Sequence, residues 1–579
     1  MNRVLKHIIS FLCISVIVFS GNTFAQDVNI KPQNDTLDLG EIISIGNRNL
    51  TFKDASKIST APTKKDTAVE ISKPNYDVSQ IVAPTTFTIN SLKPARLKII
   101  DPLEKYYKMY AIAGLGLYLS PKANIYFNSL RSRKWNYGFD AGHFSGNGGI
   151  KNVVSSSWGN NNINTWVNRY YKKHSASFNL GYKNNMVHYY GGLDTLSDNY
   201  SSLSKEQIKQ SVNRFDGSVS IKSFYKDSSD INYSLGMSYS YLNDNYNTSE
   251  NRLIFNGDAE KWLTNRVLFY AVLDYDFTNN NSISSTMLNQ DSAFVPTTYK
   301  TNNSLLVLRS SVLFEYENLK TKLGLDLVMD NTKLRVYPIV DIQYPIADQK
   351  ITPFIGISGE TMKNTFSDYF NVNPYTISFA EIINSNQKFR FYGGLKGSFA
   401  KRWSYNIAYN YESYKDYALF TNDVIYSYEN RFNVIYDDVK LNKFSMAISY
   451  HNNEKIKVSL RGEFYNYNTT EQQFAWHKPK SKIDLLINYN LSSKLLFNLN
   501  LFYVGERKAI AYDTSNNISA KSAISLDSYV DVNLKFEYIY NSRLSGFIEF
   551  NNLLSSNYDL WHNYQVQPFF GLIGVALSF

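Results

Sequence analysis

The chain ends on residues 569–579, FFGLIGVALSF, a run that alternates at period two up to the carboxylate. Phe569, Ile573, Val575, Leu577 and Phe579 fall on one face, with Gly571 between them, while Phe570, Leu572, Gly574, Ala576 and Ser578 fall on the other. Left unpaired, such a strand presents a row of free N–H and C=O groups and invites aggregation. Pairing the last strand with the first removes that edge by closing a barrel. The ending therefore predicts a closed sheet in which Ile573, Val575, Leu577 and Phe579 face lipid.

The same alternation recurs from residue 105 onward. Leu323, Leu325 and Leu327 alternate with Gly324, Asp326 and Val328, and Ile456, Val458 and Leu460 with Lys457, Ser459 and Arg461. Val530, Val532, Leu534, Phe536 and Tyr538 alternate with Asp531, Asn533, Lys535 and Glu537. Short polar breaks at 172–173, 226–230, 264–266, 347–350, 452–455, 492–494 and 541–543 alternate with longer stretches near 145–163, 184–212, 281–303, 365–387, 417–431, 506–523 and 555–567. Short turns on one side and long loops on the other are what a membrane barrel shows, and the breaks divide the segment into about 22 strands, in a range of roughly 18–26. A soluble sandwich also alternates, but it explains neither the terminal Phe nor the alternating loop lengths. The predicted fold is all-β, a transmembrane antiparallel barrel over 105–579.

The N-terminus is consistent with that location. Arg3 and Lys6 precede an apolar core at 8–20, and Thr23-Phe24-Ala25 is a small-residue cleavage site, so residues 1–25 read as a secretory signal peptide. The single cysteine, Cys13, lies within it, so the expected mature chain has no disulfide, thiolate metal site or cysteine nucleophile. Removing its two basic residues leaves a charge of 58 − 50 = +8. The basic residues are scattered rather than clustered, which argues against nucleic-acid binding and for attraction to anionic lipid headgroups or anionic solutes.

Residues 26–104 differ in character. Pro32, Pro62, Pro74, Pro84, Pro94 and Pro102 interrupt them and aromatics are few, as in an extended periplasmic tail. Within this tail, residues 38–46 (DLGEIISIG) form one apolar strand-like patch. Asp38, Leu39, Glu41, Ile42, Ile43 and Ile45 are candidates for strand addition to a periplasmic partner; the competing reading is a segment tucked against the barrel.

The last 55 or so residues carry a family resemblance. Asn551-Asn552-Leu553-Leu554, then Tyr558, then Pro568 before a final strand closing on Phe579, resembles the end of TonB-dependent receptor barrels. The style, rich in Asn, Tyr, Lys and Ser, is similar to outer-membrane proteins of Bacteroidota. The resemblance implies a Gram-negative outer-membrane barrel, inserted by the barrel-assembly machinery that reads the terminal Phe. Two departures stand out. Phe569-Phe570 replaces the Gly-Arg that commonly follows the Pro, and the Pro-broken tail is too short for the plug domain that pumping members carry. The 38–46 patch resembles the segment receptors offer to TonB.

No catalytic or cofactor motif appears. His143, His174, His188, His451, His477 and His562 form no short-spaced metal pair, and no Ser elbow, phosphate loop or metalloprotease motif occurs. The reading is therefore not an enzyme and requires no cofactor. Asp216, Lys222, Asp326, Lys457, Arg461, Glu463, Asp531, Lys535 and Glu537 are lumen-facing candidates, either a solvated wall of cross-strand pairs or groups that tune solute passage without strong ion selectivity. Trp476, beside His477, reads as an interfacial anchor. Phe366, Tyr369, Phe370 and Tyr375 read as an aromatic loop that binds outward or folds into the lumen. Two functions follow: a plugless passive channel for polar solutes, or a structural subunit of a larger outer-membrane assembly for protein insertion or surface export. The expected partners are outer-membrane lipids and other envelope proteins or surface lipoproteins.

Overall fold

The computed structural model describes residues 106–191, 204–225, 230–284, 297–424, 430–452, 455–492, 494–512 and 521–579. The signal peptide, the 26–104 tail and the 38–46 patch lie outside the described residues.

Twenty-two antiparallel strands form one sheet. The first strand, Met109–Gly116, pairs with the second, Ser120–Asn128, on one side and with the last, Phe570–Ser578, on the other. The closing register sets Ala111 against Leu577, Ala113 against Val575 and Leu115 against Ile573. Phe579 continues the ladder, since its N–H donates to the Met109 carbonyl at 2.9 Å and its carbonyl accepts from Lys108 N–H at 2.7 Å. The sheet thus has no free edge, and both ends of the barrel wall reach the short-turn side, as an even strand number requires.

Alternation divides the wall into two faces. On the last strand Ile573, Val575 and Leu577 are 63%, 47% and 36% exposed, whereas Leu572 and Ala576 are each 2% exposed. The inward set packs: Phe547, Phe570 and Leu572 cluster with Ile112, Tyr118 and Phe144. An outward apolar face has no place in water and fits hydrocarbon. No helix among the described residues is long and apolar enough to cross a membrane, so the crossing elements are strands.

The turns predicted at 172–173, 264–266, 347–350, 492–494 and 541–543 fall between consecutive strands. The strands run further into the opposite loops than the periodicity indicates. Trp403–Asn422, 20 residues long, runs six residues into the stretch read as a 417–431 loop, and Phe432–Asn452, 21 residues long, begins directly after it. Above the lipid both faces of a strand are polar or covered, so period two fades while backbone pairing continues. The remaining connections on that side carry a helix, Phe366–Val372, and two hairpins, Arg507–Tyr512 with Lys521–Leu526 and Asp559–Trp561 with Tyr564–Gln565.

Candidate functional site: lumen wall and loop cap

The inward face carries paired charges. Arg309 forks onto Asp326, with Nε to Oδ1 at 2.8 Å and Nη2 to Oδ2 at 2.7 Å. Arg214 meets Asp216 at 2.7 Å, and Lys443 meets Glu463 at 2.7 Å. Lys535 lies 3.7 Å from Glu537 and 3.5 Å from Glu549, which also receives Lys122 at 2.8 Å. Arg461 stands opposite Asp484 in the strand register. Lys457 is exposed on the side away from Leu460, and Lys222 lies over the Phe224 ring at 5.9 Å. Asp531 sits apart from these pairs: it is buried beneath the last loop, where the Tyr558 hydroxyl donates to Oδ2 and the Tyr558 ring stacks on Tyr529 at 3.7 Å. Opposite charges neutralised in pairs leave a polar wall with no dominant sign.

Above this wall the loops interlock. The segment 363–384 is strapped to strand ends by polar contacts. Lys363 Nζ donates to the carbonyls of Asn303 at 2.7 Å and Asp276 at 3.2 Å. Asn384 bonds Asn303 and Asp330, at 2.9 and 2.7 Å from its Nδ2. Ser378 bridges to Gln210, and Thr248 Oγ1 donates to the Ser378 carbonyl at 3.0 Å. Between these straps the helix Phe366–Val372 has Thr365 as N-cap, and the Glu250 carboxylate accepts from Phe366 N–H at 2.7 Å. A carboxylate on the first free amides of a helix satisfies orphan donors and complements the dipole. Phe366 and Phe370, four residues apart on one helix face, pack on Val212 and Leu242 of the wall.

The other helix face enters the centre of the cap. Tyr369, Ile377, Phe420, Phe432, Val434, Tyr190 and Tyr564 form one buried cluster, drawn from three connections of the barrel and from the upper ends of the strands Trp403–Asn422 and Phe432–Asn452. Tyr564 stacks on Tyr375 at 3.5 Å between centroids, and the Tyr190 hydroxyl donates to the Gln565 carbonyl at 2.9 Å. The aromatic loop therefore folds inward. Arg431 is 1% exposed, and its guanidinium lies over the rings of Tyr246 and Tyr189 at 4.2 and 4.7 Å; cation–π contact, rather than a carboxylate among the described residues, holds it.

His477 pins a further loop to this cluster. It is 6% exposed, its Nδ1 lies 2.9 Å from the Phe420 carbonyl and its Nε2 3.4 Å from the His562 N–H. With the Nδ1–H tautomer both ring nitrogens are used, donor to Phe420 and acceptor from His562. Burial lowers the pKa of His477 to about 3 and also lowers that of His562. Trp476 is not an interfacial anchor: it is buried with Leu419, Ala475 and Ile510 inside the cap. Lys363, Glu250, Tyr190, Asn384 and Tyr564 were not legible as site residues, because each acts through a partner far away in sequence. Among the described residues no group of three or more His, Asp or Glu side chains is placed to hold a metal.

A closed barrel with an outward apolar band, short turns on one side and a loop cap on the other is an outer-membrane β-barrel. No protein-family profile matches the sequence, and no curated protein matches it. Solved structures do match in shape. The ferric-catecholate import receptor Fiu from E. coli K12 superposes with a TM-score of 0.61 at 8% identity, over 82% of each chain. The FrpB iron transporter from Neisseria meningitidis gives 0.62 at 8% identity, also over 82% of each chain. The pyoverdine outer membrane receptor FpvA from Pseudomonas aeruginosa gives 0.61 at 12% identity, over 82% of this chain and 79% of that one. The fold is thus that of the 22-stranded barrel of TonB-dependent receptors, and these fold neighbours are transport receptors, not enzymes.

Proposed function

We propose that this chain is a plugless, Bacteroidota-type barrel of TonB-dependent-receptor shape that gives polar solutes a passive path across the outer membrane, with its own external loops as the gate. The observation that carries this reading is the vertical order of the inward face: paired charges such as Arg309–Asp326 line the wall, and the docked 363–384 segment covers the strand ends above them. A polar wall supports water and small solutes, and a cap held by hydrogen bonds is a part that opens at modest cost. Mixed charge supports passage without strong ion selectivity. The tail patch Asp38, Leu39, Glu41, Ile42, Ile43 and Ile45 fits a strand-addition contact with a periplasmic partner.

The test is conductance in a planar bilayer. The intact protein is expected to open rarely, and a variant with residues 366–380 replaced by a short Gly-Ser linker is expected to give stable stepwise currents of either ion sign. The dense aromatic packing around Tyr564 and Phe432 favours a second reading, a structural subunit of a larger outer-membrane assembly. Silence from both proteins, with other envelope proteins retained through gentle purification, would establish that reading instead.

A further inference from the structure

The outward wall between residues 135 and 244 is not a uniform apolar band. Four neighbouring strands carry His143, Asn161, Asn184 and Asn213 in direct register. Their side chains link into a ladder: His143 Nδ1 to Asn161 Oδ1 at 2.6 Å, Asn161 Nδ2 to Asn184 Oδ1 at 3.1 Å, and Asn184 Nδ2 to Asn213 Oδ1 at 2.8 Å. These residues share the outward face with Ile163, Phe178, Leu180 and Phe215, all strongly exposed. The ladder does not exhaust its members, since a carboxamide offers two donors and two lone pairs; Asn213 Nδ2 donates to nothing among the described residues.

The height of the row is fixed by the strands. Asn161 lies nine residues above Tyr170 on the strand Trp158–Tyr170, about 23 Å along the barrel axis at the usual rise and tilt. Tyr170, with Trp135 and Tyr171 flanking Arg169 at 4.3 and 5.0 Å, marks the lower interface. The amide row therefore stands at the upper interface, where lipid headgroups of the outer leaflet begin.

Directly beneath it is a groove of about 570 Å³. Ile163, Leu180, Tyr182, Phe215 and Tyr239 wall it, and Gly217 leaves its floor open. Ile163, Tyr182 and Phe215 are each two residues below Asn161, Asn184 and Asn213, one pleat repeat of about 7 Å. Polar row above, apolar groove below, is the amphipathy of a single lipid molecule. A transmembrane segment of another protein needs apolar contact through both leaflets, whereas the groove's lining on these strands reaches only four residues below the row.

We propose that this face is a specific site for an outer-leaflet glycolipid, with an acyl chain in the groove over Gly217 and sugar hydroxyl or amide groups on the His143–Asn161–Asn184–Asn213 ladder. Carboxamides carry no charge, so they match sugar hydroxyls and amides better than a phosphate diester. The site lies on the outer surface and does not depend on whether the lumen conducts.

Native mass spectrometry of the full chain, extracted in mild detergent and challenged with lipopolysaccharide or with phosphatidylethanolamine, tests it. A Cβ at Gly217 meets only Leu180 Cδ2, at 3.5 Å, and one at Gly462, on another part of the outward wall, meets only Phe464 at 3.8 Å; each Cβ fits without touching backbone. Lipopolysaccharide is expected to stay bound to the wild-type protein and to Gly462→Leu, and to be lost roughly tenfold more readily from Gly217→Leu and from the Asn184→Ala/Asn213→Ala pair. Equal retention in Gly217→Leu and wild type, equal loss in Gly462→Leu, preference for the phospholipid, or a second polypeptide in place of the lipid would each overturn the proposal.

Discussion

The Glu250 carboxylate holds the N-terminus of the cap helix through the Phe366 amide, at 2.7 Å, and joins a wall strand to a loop residue 116 positions later. Both groups are buried, so the contact is shielded from screening water. Glu250→Ala removes the acceptor and leaves the Phe366 and Ser367 amides without it, at a cost of about 1–2 kcal/mol. Hydrogen exchange in the cap helix should speed up accordingly, while the wall strands stay protected. Unchanged protection of residues 366–372 would show that the helix is held by its aromatic face alone.

Acid should loosen the cap through His477. Its pKa in the docked loop is lowered to about 3 by burial, against about 6.5 when exposed. Between those values the undocked loop binds more protons than the docked one. Docking is therefore fully stable above pH 6.5 and loses stability as the pH falls toward 3, by about 2 kcal/mol at pH 5. Open probability or loop proteolysis measured across this range should rise on acidification, and His477→Gln should flatten the curve.

In the lumen, Asp326→Asn leaves the Arg309 guanidinium without its fork. The loss of charge-assisted bonds costs about 1.5–3 kcal/mol, less in so far as Arg309 reaches water. Its more visible effect is electrostatic. In the loop-replaced barrel, reversal potentials should shift toward anion preference, and Arg309→Gln should shift them the other way. Identical potentials in both would place the pair off the conduction path.

On the outside, Ile573→Arg puts a charge on the lipid face of the closing strand. The expected cost is about 2–4 kcal/mol near the membrane midplane, seen as a lower urea midpoint or loss of the heat-modifiable band on gels. Leu577→Arg, nearer the lower rim, should cost less. The same cost at both positions would mean that the two residues do not differ in depth within the hydrocarbon.

What the amino-acid order determined by itself is the wall. A side-chain period of two marks which residues of 323–328, 456–461 and 530–538 share a face, the polar breaks divide the strands, and an apolar ending such as Ile573 to Phe579 demands a partner. These are local signals, because a strand turns each side chain out or in according to its immediate neighbours. Only the tertiary structure decided the cap and the amide row. Tyr190, Tyr369 and Tyr564 come from three connections without periodicity and Phe432 from a strand end, and their burial exists only once the barrel brings them to one rim. Likewise Asn161 and Asn184 fall within the 145–163 and 184–212 stretches that read as loops, and only the interstrand pairing puts them, with Asn213, on strands and at one height. Register is a relation between strands, set by the closure of the whole ring.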